Sequence, residues 1–146
     1  MNCRKTIATF LIVSSLFLFS TIVNAETRVL PKIISNALEK YQKEGADKLI
    51  PNLLIGSPIE GDKTALSEVS RIRQIEGFYG KYLNADIVKA VDITPTITLI
   101  YYAMNYEKGP LYGSATVFKV NGKEIIPDFY FHTDIKSIFP AEIIFD

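Results

Sequence analysis

The apolar residues of this chain change their spacing once, at Gly80, and that change limits the fold more than any other feature. Before it they recur every three or four positions: Ile33, Ile34, Ala37, Leu38 and Tyr41, then Leu66, Val69, Ile72, Ile75 and Tyr79. That spacing lines one face of a helix. After it they alternate, as in Ile97, Leu99, Tyr101 and Ala103 against Thr98, Ile100, Tyr102 and Met104. Alternation sends successive side chains to opposite faces of a strand. A helical period does not hold as a strand, nor the reverse. The chain therefore reads as helices first and strands second. The predicted fold class is α+β, with N-terminal helices packed on a curved four-stranded antiparallel sheet.

Local signals set the boundaries. Leu30-Pro31 opens the first helix, with Pro in the first turn, where its missing N–H has no partner to lose, and Gly45 ends it. Asp47 to Ile55 is a shorter apolar piece that Pro51 limits to one turn or a kinked helix. Gly56-Ser57-Pro58 and Glu60-Gly61 mark a loop, and Asp62 is the cap of a long second helix. Strands are predicted over Ala85 to Ile93, Thr96 to Glu107, Leu111 to Val120 and Lys123 to Thr133. The bulk on both sides of the second makes it central. Asn121-Gly122 is a hairpin turn, since both residue types accept the positive φ of type I′. Pro127 implies a bulge or an edge position in the last strand. Asp134 caps a single turn over Ile135 to Phe139, and the apolar Ile143-Ile144-Phe145 packs back onto the domain.

This order resembles the cystatin-like α+β roll of the nuclear-transport-factor-2-like superfamily. The residues that carry the likeness are Glu44-Gly45-Ala46-Asp47, Gly77-Phe78-Tyr79-Gly80, and the strand block. That block contains Gly109-Pro110-Leu111-Tyr112, Phe118-Lys119, Asn121-Gly122-Lys123 and Phe129-Tyr130-Phe131-His132-Thr133-Asp134. Small exported bacterial proteins of this layout are similar over nearly the whole mature chain. The Ile50-Pro51 segment departs from the pattern, where a regular helix is common. The resemblance implies a roll with a pocket, and a homodimer through the exposed sheet face. The superfamily holds isomerases, dehydratases and binding modules, so it implies no particular activity, and no catalytic residue carries over.

The first 25 residues have the layout of a secretory signal peptide: Arg4 and Lys5, an apolar stretch from Ile7 to about Phe19, and Val23-Asn24-Ala25 before the cut. At about 13 residues, broken by Ser14 and Ser15, that stretch is short for the roughly 20 needed to span a bilayer. The expected organisation is 1–25 signal peptide and 26–146 a single α+β domain, periplasmic or secreted, with no stable membrane insertion after cleavage. Cys3, the one cysteine, lies in the leader, so the mature chain is read as having no disulfide and no thiol nucleophile. Removing Arg4 and Lys5 from 16 basic residues leaves 14 against 16 acidic ones. With no basic excess, nucleic acid is not an expected partner. At 48% hydrophobic and 22% charged, the composition excludes a disordered chain.

Chemistry-bearing residues are sparse. His132 is the single histidine, and beside Asp134, Asp128 or Tyr130 it would serve as a general base; the plainer reading is a strand-end histidine held by a hydrogen bond. Asp92, Asp86 and Glu76 would move protons if turned into an apolar pocket that raised their pKa; otherwise they are ordinary surface acids. Arg71 and Arg73 would bind an anion, or simply face solvent. One His, a mature chain without Cys and no calcium-loop spacing predict no metal. No glycine loop for phosphate and no Gly-x-Ser-x-Gly elbow occur, and no cofactor is expected. The aromatic residues Tyr79, Tyr102, Tyr112, Phe118 and Tyr130 are the candidates for a ligand pocket. Together these point to an exported, non-enzymatic binding module for a small apolar ligand or a protein partner. The rival readings are a pocket enzyme of isomerase or dehydratase type, using His132, Asp134 or Asp92, and an envelope inhibitor or immunity protein.

Overall fold

The computed structural model describes residues 29–145; the signal-peptide reading and Cys3 lie outside them. Helix α1 (Lys32–Glu44) leads through a 3₁₀ turn (Ala46–Lys48) into α2 (Leu49–Leu53) and then the long α3 (Lys63–Tyr79). Strands β1 (Tyr82–Thr94), β2 (Ile97–Tyr106), β3 (Gly109–Val120) and β4 (Lys123–His132) follow, and α4 (Ala141–Ile144) ends the described chain. The four strands form one open antiparallel sheet in the order β1-β2-β3-β4. The α+β class is as the spacing predicts, with helices N-terminal to a meandering sheet.

Most local signals act as their chemistry dictates. Asp62 accepts the Ala65 N–H at 2.9 Å to cap α3. Gly45 and Gly80, at φ 93° and 82°, end α1 and α3 in a backbone region that side chains disfavour. Asn121 and Gly122 both have positive φ, 49° and 74°, as the type I′ turn requires. Pro31 differs from expectation. It stands just before α1 in an extended conformation, with ψ 144°, and has no side-chain acceptor to offer. A residue remote in sequence does that work: the Glu124 carboxylate on β4 accepts the Ile33 N–H at 3.2 Å.

One sheet face forms the core. Ile100, Tyr102, Met104 and Tyr106 of β2 alternate inward and are buried, and Leu111, Ala115 and Val117 of β3 lie beside them. Helix α1 sets Ile34, Ala37, Leu38 and Tyr41 against this face, and α2 adds Leu49, Ile50 and Leu53. Helix α3 buries far less. Of its predicted stripe Ile72 alone is fully buried, while Leu66, Val69, Ile75 and Tyr79 are partly covered. The other sheet face is not bare. The chain after β4 turns back across it and plants the buried Phe139 edge-on against Tyr101 and Tyr112, with ring centroids 5.6 and 5.4 Å away.

The inner face depends on a missing side chain. Tyr102, opposite Gly113 in the register, lies flat across it and meets the Phe131 ring of β4 edge-on at 6.2 Å. A Cβ on Gly113 would stand 2.7 Å from the end of the Tyr102 ring, closer than carbon atoms tolerate. Overpacking of this kind costs about 1–3 kcal/mol. Gly113→Ala is expected to lower stability by that amount in urea denaturation, and by much less in a Tyr102→Leu background. Unchanged stability in the single variant would contradict the close approach.

Candidate functional site

The sparse cover from α3 leaves a groove. The helix runs beside β4, at the edge of the sheet, and two connected hollows lie between them. The first, of about 160 Å³, is lined by Ile72, Ile75, Phe78, Leu111, Phe131 and His132, among others. The second, of about 400 Å³, lies between Ile59, Asp62, Ala65 and Arg71 on one side and Asp128, Phe129 and Tyr130 on the other. Both reach Glu68, Arg71 and Phe131, so the groove is continuous. Its apolar lining is interspersed with Thr64, Glu68, Arg71, Gln74 and Thr133, and Phe78 is 75% exposed at one end. Arg71 is bound to Glu68 at 3.0 and 3.1 Å; at the other end Asp62, which caps α3, and Asp128, which accepts the Thr116 hydroxyl at 2.9 Å, are carboxylates without a cation bound to them among the described residues.

A wider hollow of about 830 Å³ lies between α1, the segment after α2 and the β3–β4 hairpin. Its rim is made of surface charges that pair along α1, Lys40 with Glu44 at 2.9 Å and Lys43 with Glu39 at 2.5 Å. Exposed pairs of this kind hold little energy and define little shape.

Of the three catalytic candidates, His132 and Asp134 adjoin and Asp92 stands apart. His132 is exposed at the end of β4, and its Nδ1 accepts the Asp134 N–H at 2.9 Å. The Asp134 carboxylate is taken up by the Lys136 N–H at 3.1 Å, capping the turn that follows. Asp92 accepts the Thr98 hydroxyl at 2.6 Å. Thr98 pairs with Val117 and His132 with Tyr112. Asp92 therefore stands roughly 17 Å along the strand direction from His132, and they cannot share a substrate. Asp86 is held by Asn105 at 2.7 Å, and Arg73 by Asp47. Among the described residues no three His, Cys, Asp or Glu side chains gather as a metal site, and no helix is long and apolar enough to cross a membrane.

The five aromatic candidates do not line one pocket. Tyr102 faces the helices and Tyr79 packs edge-on to Tyr106 beneath them. Tyr112, Phe118 and Tyr130 alternate with inward residues on the opposite face, and Tyr130, on the edge strand, also borders the groove. Sequence reasoning missed the groove residues Ile72, Ile75 and Phe131. Phe78 and Phe131 were legible as aromatic, but that α3 runs beside β4 is set by tertiary packing. No family model, curated protein or solved structure matches this chain.

Tyr41, Tyr82 and Tyr106 form a closed aromatic group on the β1–β2 side of the sheet. Tyr41 stacks on Tyr82 at 4.9 Å and its hydroxyl donates to that of Tyr106 at 3.2 Å. Burial pushes the Tyr82 and Tyr106 hydroxyls up to about 12, with Asp86 and Glu76 respectively adding negative charge nearby. Burial raises Tyr41 and Tyr102 as well. An unfolded tyrosine ionises near pH 10. Between about pH 10 and 12 the unfolded chain therefore loses protons that the folded chain keeps, and stability falls as pH rises. Urea denaturation should show this loss beginning near pH 10, with a shallower decline in Tyr106→Phe. Equal slopes for the two proteins would contradict it.

Proposed function

We propose that this chain is an exported, non-enzymatic binding module that takes an apolar ligand in the groove between α3 and β4. The observation that carries this reading is the groove itself: a concavity between a helix and a sheet edge, floored by the buried Ile72, Leu111 and Phe131, flanked by the partly covered Ile75 and Phe129, with Phe78 held open to solvent. Sites for small ligands are concave, mostly apolar, and furnished with few polar groups. The superfamily resemblance supports a pocket on this kind of scaffold, and the layout of the first 25 residues supports export, to the periplasm or beyond. The separation of His132 from Asp92, and the use of Asp134 as a turn cap, weigh against proton-transfer chemistry.

The hydrophobic probe 1-anilinonaphthalene-8-sulfonate, titrated into the folded protein, tests this. It should bind saturably and gain fluorescence. Phe78→Glu should weaken it about tenfold, the effect of losing roughly 1.4 kcal/mol of apolar contact. Phe78 is exposed, so the variant should keep the native circular dichroism. Absent binding, or binding indifferent to Phe78→Glu, would overturn the assignment.

A further inference from the structure

The wall that β4 contributes to this groove is a strand edge, and its outward groups are the most specific chemistry in it. β4 has β3 on one side and no strand on the other. Alternate residues of an antiparallel strand turn their N–H and C=O away from the partner. The first part of this edge is closed. The buried Ser57 hydroxyl donates to the Ile126 carbonyl at 2.6 Å, and Pro127 has no N–H to offer. Beyond them, from Asp128 to His132, the edge faces the groove with α3 opposite. No backbone hydrogen bond among the described residues joins this stretch to anything but β3.

We propose that the occupant of the groove is an extended peptide segment that adds to β4 as a fifth strand over Asp128–His132. This rests on the reading of the groove as the binding site and names its ligand class. A wall of free peptide groups is met by another backbone, and strand addition to an exposed edge draws affinity from main-chain bonds and specificity from alternate side chains. The partly buried Phe129 and Ile75, over a floor of buried Ile72 and Phe131, receive alternate apolar side chains. The charges set the direction. Asp62 and Asp128 place two carboxylates at one end, while Ile75 and Phe78 give the other an apolar wall beside His132 and Thr133. α3 and β4 run the same way, with Asp62 near Asp128 and Phe78 near His132. A segment antiparallel to β4 enters apolar end first beside Phe78 and finishes with a basic residue beside Asp62 and Asp128. The open edge spans about 17 Å, enough for about five paired residues.

The test uses acetylated, fluorescein-labelled hexapeptides of the form X-Ser-X-Ser-X-Lys-amide, with X drawn from Val, Ile, Leu and Phe, against the protein purified from its own host. Fluorescence anisotropy should show saturable binding by a subset of the set. N-methylation of alternate amides in the best binder should weaken it at least tenfold while leaving its side chains unchanged. Replacing its Lys by Glu, or making Asp128→Asn in the protein, should weaken it several-fold. Equal binding by the N-methylated peptide would overturn strand addition. If no member of the set binds while the naphthalene sulfonate probe still reports the groove, the peptide assignment fails and the apolar-ligand reading stands. If neither binds, both fail.

Discussion

β4 has one strand neighbour, so the hydrogen-bonding groups along its outer side must be met by something other than a ladder. Natural sheets manage such edges because an open one pairs readily with another chain. This protein manages only part of its edge. Ser57 reaches in from the loop after α2 to take the Ile126 carbonyl. The bulge containing Pro127 shifts the register between Thr116 and Phe118 and removes one donor. From Asp128 onward the edge is shielded by α3 across a groove instead of being sealed. The shape of the molecule on that side follows from this arrangement.

The helices divide their labour accordingly. α1 and α2 are buried against β2 and β3 through a continuous apolar surface, and their packing holds the domain together without any covalent link among the described residues. α3 is held midway by the buried Ile72 and by Arg73, which binds Asp47, and at its finish by backbone bonds. Asp62 caps its start. At its finish the Lys108 backbone N–H donates to the Tyr79 carbonyl at 2.9 Å and the Lys81 backbone N–H to the Glu107 carboxylate at 3.2 Å. A helix that buries one side chain fully and the rest of its inner face partly can border a groove without filling it. The opposite sheet face is spared a similar exposure because Phe139 covers Tyr101 and Tyr112.

The sequence was most informative where local chemistry decides. The change of period at Gly80, the Asp62 cap, the Asn121-Gly122 turn and the Pro127 bulge are each properties of a few neighbouring residues, and each is where its chemistry put it. What stayed hidden depends on residues far apart in the chain. Glu124 completes the start of α1 across 91 positions, and Ser57 reaches Ile126 across 69. Neither contact has a local pattern. The five aromatic candidates were grouped by residue type, but strand alternation places Tyr112, Phe118 and Tyr130 on the far side of the sheet from Tyr102. The groove joins two elements that the spacing of apolar residues identifies singly and cannot place side by side.

The outer edge of β4 has no backbone partner from Asp128 to His132 among the described residues. Amide hydrogen exchange in the ligand-free protein, resolved by residue, tests it most directly. The inward-bonded amides of β2 and β3 should exchange slowly, while the alternate β4 amides that turn away from β3 exchange orders of magnitude faster. Protection along all of β4 equal to that of β2 would mean the edge is already satisfied, and the groove would then have no strand to receive.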